Sequence, residues 1–327
     1  MPTPISPRLN PLTNSHTRTR PTPYSWGEWR VVQCEETGMV YLENPPSYDR
    51  LAEEFAWEKT YEEEKQRRYQ DEPVLSRVSG MVKWMRWNLK GPRIVATSLA
   101  HLQALEEIMP SGTHLQFLDV GCGDGKKTVQ IPELMKQRGL AAVSPIGIEV
   151  STAQAVEAQS RFKPFGGRCI PLTVLDGLAE IEDTSIHLIV LCSFLEHEVQ
   201  PVELLTACCA KLARKGRIII KVPNFDLWHR RVRQEKWCGF RYPNHVNYFT
   251  PDTLGKVVHR AGLRERPKGW ADIMPTSDEY VADCRTALSR CRESGTSFGR
   301  YVNFVSDCAR GNLRGLSVSM PRAFSTT

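Results

Sequence analysis

Residues 118–125 read Leu-Asp-Val-Gly-Cys-Gly-Asp-Gly, and this stretch decides the fold class. The apolar run Phe117–Val120 predicts a buried β-strand, and the residues from Thr128 onward predict a helix. Three glycines between these elements let the backbone turn tightly and approach a ligand without interference from a Cβ atom. A glycine-rich turn that ends a strand and opens a helix is where doubly wound α/β folds bind their ligands.

The chain on either side of this turn alternates between short apolar runs and amphipathic stretches. The predicted strands are 144–150, 169–174, 186–192 and 216–222, and the predicted helices are 128–138, 153–162, 201–213 and 251–262. Such alternation predicts a parallel sheet covered by helices on both faces. With a late antiparallel strand at 280–285, we expect a doubly wound, mostly parallel, seven-stranded α/β fold.

Acidic side chains lie where ligands of such folds bind. Asp119 ends the first strand, Asp124 lies inside the turn, and Glu149 closes the next strand, 24 residues past Gly125. A carboxylate at the tip of the second strand can accept both hydroxyls of a ribose. Acids at a helix N-terminus oppose a pyrophosphate but suit an ammonium or sulfonium group. The GxGxG spacing and these acids therefore argue against a nicotinamide-dependent oxidoreductase.

On these residues the chain resembles the class I S-adenosylmethionine-dependent methyltransferases, and most of all the branch that methylates small molecules and sugars. The resemblance covers about residues 115–263 and continues weakly to 285. It implies S-adenosylmethionine as cofactor and methyl transfer to a small-molecule acceptor that bears a hydroxyl, amine or phenol group. Its landmarks are Leu118–Gly125, Glu149, Leu175–Gly177, Leu191–His197, Gly216–Asn224 and His245–Thr250.

The resemblance also assigns cofactor contacts to particular residues. The glycines of the turn would line the methionine part of the cofactor, with Asp119 near its ammonium group. Glu149 would hold the ribose, and Asp176, expected at the end of the third strand, would meet the adenine amino group. The full cofactor-binding set is Asp119, Gly121, Gly123, Gly125, Glu149, Asp176, Gly177 and Ser193.

Two histidines are the candidate catalytic residues. His197 follows the fourth strand, where the resemblance places the methyl group and the acceptor. His245 lies in the aromatic-rich segment 237–249, which overhangs the acceptor pocket in the family and whose rings could sandwich an acceptor. Either imidazole could accept the acceptor's proton. The alternative is that the histidines orient the loop or the cofactor.

We expect no metal site. Some related methyltransferases of quinone precursors carry Glu-x-x-Glu-His after the fourth strand and bind a divalent metal there, but Ser193 stands at the first position here. Losing one oxygen ligand from so small a site should weaken metal binding. Relatives with sugar acceptors often begin with a zinc ribbon. Here Cys34 has Thr37 where the second cysteine would stand, and one thiolate cannot build a four-ligand zinc site.

The composition divides the chain into four parts. The Pro-, Ser- and Thr-rich residues 1–23 predict a disordered tail. Residues 24–74 predict a small accessory region with two strands, at 29–34 and 39–42, and a helix. Residues 75–285 form the predicted methyltransferase domain, and residues 286–327 a polar C-terminal extension of uncertain structure.

Overall composition limits the class of protein further. Of 327 residues, 41% are hydrophobic and 24% are charged, as in folded proteins with a sizeable core. No apolar run reaches the roughly 18 residues of a membrane span. The net charge of +6 comes largely from scattered arginines and does not by itself indicate nucleic-acid binding. Ten cysteines without a CxxC pair predict free thiols in a reducing, cytoplasmic setting, and no feature indicates the oligomeric state.

Two other functions stay open at this point. A nucleic-acid methyltransferase that acts on amino groups grips a flipped base with an (Asp/Asn)-Pro-Pro-aromatic loop after the fourth strand, where this chain reads Cys192-Ser-Phe-Leu. Nucleic acid is therefore disfavoured, although Arg8, Arg18 and Arg20 near the N-terminus leave an RNA acceptor open. The other is a non-catalytic binding module, yet all the cofactor landmarks are present.

Overall fold

A computed structural model describes residues 8–46, residues 92–265 apart from 228–229, 232–233 and 238, the strand at 279–283, and residues 66, 69, 70, 77, 80 and 81. Its α-helices are α1 (Arg93–Glu106), α2 (Gln130–Gln137), α3 (Thr152–Phe162), α4 (Val174–Ala179), α5 (Pro201–Lys211) and α6 (Pro251–Arg260). Its strands are β1 (Thr19–Pro21), β2 (Val31–Cys34), β3 (Val40–Leu42), β4 (Leu115–Val120), β5 (Val143–Ile148), β6 (Arg168–Ile170), β7 (Ile186–Cys192), β8 (Leu212–Lys221), β9 (Asn247–Tyr248), β10 (Arg264–Glu265) and β11 (Glu279–Asp283).

The central sheet has the strand order β10-β11-β8-β7-β4-β5-β6. Strands β4 to β8 pair in parallel, while β11 is antiparallel to β8 and β10 is antiparallel to β11. The chain runs outward from β4 in both directions, so the carboxyl end of β4 is the point where the strand order reverses and where such folds bind ligands. The prediction of a doubly wound α/β fold is confirmed.

Hydrophobic side chains cover both faces of this sheet. Successive residues of a strand point to opposite faces, so Leu118 and Val120 of β4 join one buried cluster, and Leu115 and Phe117 join another. All four are essentially inaccessible to water. This two-sided burial explains why the strands read as continuous apolar runs in the sequence.

The third parallel strand is shorter than the sequence predicted. We expected a strand over 169–174, but β6 ends at Ile170 and α4 begins at Val174. Pro171 has no N–H for a strand ladder, and the hydroxyl of Thr173 accepts a hydrogen bond from the backbone N–H of Asp176, which caps the helix. The Leu175–Gly177 landmark therefore lies in a helix and not at a strand end.

The N-terminal residues also differ from the prediction. We expected residues 1–23 to form a disordered tail, yet β1 pairs with β2, and the side chains of Asn10 and Leu12 are buried. The four strands β1, β2, β3 and β9 form a second, antiparallel sheet. Composition missed this packing because it does not show which partners residues 8–23 find, such as β2 for β1 and the Val246 carbonyl for Arg8. The predicted boundaries at 74 and 285 lie outside the described residues.

Among the described residues, no helix is both long and apolar enough to cross a membrane.

Candidate active site

The glycine turn leaves β4 in a backbone conformation that L side chains rarely adopt. Gly121 has φ +70° and donates its N–H to the carbonyl of Ile148 at the end of β5. A Cβ on Gly121 would lie 2.5 Å from the Phe194 ring, so a larger residue would collide with the loop after β7. Gly123 and Gly125 also have positive φ, which confirms the tight turn that the sequence predicted.

Glu149 follows β5 and faces this turn. One carboxylate oxygen accepts the N–H of Gly123 at 2.9 Å, and the other accepts the N–H of Ser151 at 3.0 Å. A carboxylate offers about four lone-pair positions, so two remain for further donors. Glu149 thus holds the glycine turn in place and can still accept a pair of hydroxyl groups.

Asp119 is the other carboxylate at this end of the sheet. Burial raises the pKa of Asp119 to about 6, although a hydrogen bond from the Thr128 hydroxyl acts in the opposite direction. With this pKa, the carboxyl group of Asp119 changes charge close to neutral pH. A cation next to it would favour the ionised form by electrostatic attraction.

Asp176 and Gly177 occupy a different environment from the one predicted. The exposed carboxylate of Asp176 accepts a hydrogen bond of 2.6 Å from the Thr173 hydroxyl in the first turn of α4. Gly177 is buried, and a Cβ there would lie 2.8 Å from the Ile148 side chain. Gly177 therefore lets α4 pack closely against β5, which is a structural role.

The loop after β7 contains a strained residue next to the glycine turn. Ser193 has φ +57°, which is uncommon for a residue other than glycine, and its N–H donates to the Lys221 carbonyl at 2.8 Å. The exposed Ser193 leads into Phe194, whose ring covers Gly121. Strain of this kind concentrates at functional sites, where the surrounding structure holds it in place.

The two candidate histidines lie together. His197 ends a short 3₁₀ turn, Leu195–His197, and His245 immediately precedes the segment that leads into β9. Their ring centroids are 4.7 Å apart, and the ring planes are nearly perpendicular. A backbone hydrogen bond from the N–H of Val246 to the carbonyl of Glu196 joins the two segments.

Both imidazoles are oriented by backbone carbonyls. Nδ1 of His197 lies 2.9 Å from the Asn244 carbonyl, and Nδ1 of His245 lies 2.8 Å from the Gly239 carbonyl. A carbonyl only accepts hydrogen bonds, so Nδ1 carries the proton in each ring and Nε2 of the neutral ring is the acceptor. Burial lowers the pKa of His197 to about 4, and the charge of Arg241 adds to this effect.

Protonation of His197 predicts a pH dependence of stability. The folded protein keeps the ring neutral down to about pH 4, whereas the unfolded chain binds a proton below pH 6.5. The unfolded state therefore gains stability as the pH falls from 6.5 to 4, and the protein should lose up to about 3 kcal/mol over this range. Urea unfolding at several pH values should show a smaller loss for His197→Gln. An equal loss in both proteins would contradict a neutral His197 ring in the folded protein.

A third ionisable group meets the histidines. The carboxylate of Glu196 is buried, and one donor atom from each of Glu196, His197 and His245 lies within 4.8 Å of the others. One carboxylate and two imidazoles form a donor set that divalent metals use. Ser193 alone does not reveal this convergence, because His245 is far from His197 along the chain. The positive charge of Arg241 acting on His197 opposes a cation at this position.

The aromatic residues of segment 237–249 pack mainly into a core. The Phe240 ring stacks on Tyr24 at 4.9 Å and on Tyr242 at 5.9 Å. Tyr248 and Phe249 are buried and present no free face. Tyr248 and Phe249 are therefore not available to sandwich an acceptor. The same packing gives His245 its buried environment.

The sequence matches one known protein family. Residues 94–266, just over half of the chain, match the sequence model of the family described as Methyltransferase domain. A search of curated protein sequences finds no significant match.

Three solved structures were compared with the chain. The CurJ carbon methyltransferase has 16% identity and a TM-score of 0.42, over 57% of this chain and 52% of that protein. The DszA carbon methyltransferase has 14% identity and a TM-score of 0.44, over 58% and 51%. A SAM-dependent methyltransferase from Archaeoglobus fulgidus has 17% identity and a TM-score of 0.37, over 69% and 90%. This chain thus spans about half the length of the two carbon methyltransferases.

The residues that match the family model include the candidate site described above. It begins in α1, includes the glycine turn and Glu149, continues through the two histidines, and ends just after β10. The chain therefore belongs to the methyltransferase domain family, the class I S-adenosylmethionine-dependent methyltransferases, and its cofactor is S-adenosylmethionine.

Proposed function

We propose that the protein transfers a methyl group from S-adenosylmethionine to a hydroxyl, amine or phenol group of a small-molecule acceptor, and that His197 accepts the proton that the acceptor loses. One observation carries the proposal. His197 and His245, far apart in the sequence, lie ring to ring beside the strained loop after β7.

The residues at the carboxyl end of the sheet fit the cofactor. The glycines leave the turn without Cβ atoms, so a bound cofactor can lie close to its backbone. Glu149 has lone pairs left for two ribose hydroxyls. We propose that Asp119 faces the ammonium group, that Ser193 lies near the methionine part, and that exposed Asp176 contacts the adenine. We do not retain Gly177 as a cofactor contact because it packs against Ile148.

The division of roles between the histidines follows from their exposure. His197 is partly exposed, whereas His245 is 4% exposed, so proton transfer is assigned to His197 and support of its ring to His245. When bound, S-adenosylmethionine supplies an electrophilic methyl group for in-line displacement. The protein contributes alignment, which can save about 7–11 kcal/mol, and a His197 ring that is neutral at pH 7, with Nε2 as its acceptor nitrogen.

A small-molecule acceptor is favoured over RNA by the N-terminal arginines. Arg8 donates its hydrogen bonds inside the fold, and Arg20 is paired with Gln33. Arg8, one of the three cations that left an RNA acceptor open, is therefore engaged within the protein itself, whereas Arg20 is exposed. The partly buried position of His197 also suits an acceptor small enough to enter the site.

Methyl transfer from radiolabelled S-adenosylmethionine to separate sets of phenols, amines, sugars and total RNA would test this proposal. We expect label in a small molecule, with no loss of rate when a chelator is added. Label in RNA alone would overturn the acceptor class. A rate that the chelator abolishes and a divalent metal restores would instead assign Glu196, His197 and His245 to a metal.

Asp119 predicts that cofactor binding depends on pH. Its pKa of about 6 means that the carboxylate is increasingly protonated below that pH, when it can no longer attract the ammonium group. We expect the dissociation constant for S-adenosylmethionine to rise about tenfold for each pH unit below 6 and to level off towards pH 7. Calorimetric titration from pH 5 to 7 would measure this. Asp119→Asn should bind more weakly and without this slope, and an unchanged slope would exclude Asp119 as the group responsible.

A reducing, cytoplasmic setting remains part of the proposal. Its support is that Cys34, Cys122, Cys169, Cys192, Cys208 and Cys209, the cysteines within the described residues, are all free thiols. Cys122 and Cys169 keep separate thiols although their Sγ atoms are 3.7 Å apart.

A further inference from the structure

Arg8 enters the fold behind the two histidine-bearing segments. Its guanidinium donates hydrogen bonds to the backbone carbonyl of Val246 at 3.0 Å and to that of Val199. Val246 directly follows His245, and Val199 lies two residues after His197. One side chain therefore ties together two stretches of backbone that the sequence separates by more than forty residues.

The same guanidinium also fixes the side chain of Asn247. Nη2 of Arg8 donates to Oδ1 of Asn247 at 3.0 Å. With its oxygen held there, the Asn247 amide group donates to the carbonyls of Leu195 and Glu198 at 3.2 and 2.6 Å. These carbonyls lie on either side of His197. If the amide were reversed, its oxygen would face two carbonyl oxygens and its NH2 group would face the guanidinium, so Arg8 and the two carbonyls favour the same orientation.

The local environment suits a guanidinium in particular. The Arg8 side chain lies 5.7 Å from the centre of the Tyr41 ring, and its backbone N–H donates to the Glu43 carbonyl at 3.0 Å. Burial lowers the pKa of Arg8 to about 10, so the group stays charged at neutral pH. An ammonium group is a compact point charge and cannot reproduce the planar fork that reaches these three acceptors together.

We propose that Arg8 is a positioning residue for methyl transfer: through Val199, Val246 and Asn247 it sets the relative placement of His197 and His245. This inference rests on the proposed function, because it assumes that His197 accepts the proton. The hydrogen bonds of the Arg8 guanidinium go to two backbone carbonyls and to Asn247, so it acts through the backbone and the Asn247 amide. If Arg8 only anchored the N-terminal segment, replacing it would lower the stability of the fold without a selective effect on turnover.

Arg8→Ala and Arg8→Lys would test the proposal, with Arg20→Ala as the matched control because Arg20 belongs to the same N-terminal region and is exposed on β1. We expect kcat to fall by up to about 100-fold in both Arg8 variants, the cost of a misplacement of about 1 Å. The dissociation constant for S-adenosylmethionine should stay as in the wild type. Guanidinium ion at low millimolar concentration should restore part of the rate of Arg8→Ala and none of that of Arg8→Lys.

Hydrogen exchange separates this proposal from the one on which it rests. We expect Arg8→Ala to speed amide exchange at residues 195–198 and 245–247 and to shift the imidazole NMR signals of His197 and His245, whereas Arg20→Ala changes neither. These readouts need no acceptor, so they remain valid even if His197 proves not to be the base. Unchanged signals, normal turnover, or a uniform loss of stability without rescue by guanidinium would each overturn the positioning role.

Discussion

Replacing Glu149 with alanine is expected to weaken S-adenosylmethionine binding by about 10²- to 10⁴-fold. Two charge-assisted hydrogen bonds to the ribose, at about 1.5–3 kcal/mol each, would be lost. The substitution also leaves the N–H groups of Gly123 and Ser151 without their carboxylate acceptor, which loosens the glycine turn. Both effects act in the same direction. Calorimetric titration with S-adenosylmethionine and S-adenosylhomocysteine would measure the change.

Glu107→Ala is the matched control for this experiment. Glu107 is exposed at the end of α1, before β4 begins, whereas the glycine turn follows the other end of that strand. We expect its cofactor affinity to equal that of the wild type, and thermal unfolding followed by circular dichroism would show that both variants fold. A folded Glu149→Ala protein with wild-type affinity would contradict the ribose-binding role, whatever the acceptor.

Replacing His197 with glutamine is expected to lower kcat by about 10²- to 10⁴-fold, the usual contribution of a positioned base. Glutamine keeps polarity and much of the volume but cannot accept a proton at neutral pH. Cofactor affinity should change little, because the Glu149 and glycine-turn contacts remain intact. The measurements are steady-state turnover with the acceptor found in the screen and calorimetric titration of the cofactor.

His259→Gln provides the control, since His259 is exposed on α6. A parallel His245→Gln variant decides the assignment between the two rings. Loss of turnover in His245→Gln with normal turnover in His197→Gln would move the base to His245. If His197→Gln lost cofactor binding while remaining folded, His197 would be a cofactor contact and not the base.

Much of the cofactor side of the site was predictable because it is local. The glycine turn and Glu149 depend on backbone freedom and on the ends of neighbouring parallel strands, and both properties follow from short patterns. Asp176 shows the limit of this reasoning. A capping hydroxyl at Thr173 and the missing N–H of Pro171 ended β6 early, although residues 169–174 read as a strand.

The histidine cluster depends on contacts between distant residues. The meeting of His197, His245 and Glu196 requires β9 to pair with β3 and the backbone of Val246 to bond to Glu196. Arg8 reaches Asn247 across 239 positions of sequence, from a segment whose composition predicted disorder. Composition measures the apolar content of a segment but not the partners that other segments bring to it.

The sequence by itself determined the doubly wound fold, the glycine turn and the place of Glu149 at the end of β5, because each is encoded within one strand, one turn or one strand end. Only the tertiary structure decided which histidine is accessible, which carbonyl fixes each imidazole, and which arginine holds their two segments together. The physical reason is that burial and hydrogen-bond partners are properties of the packed chain, and long-range backbone pairing sets them.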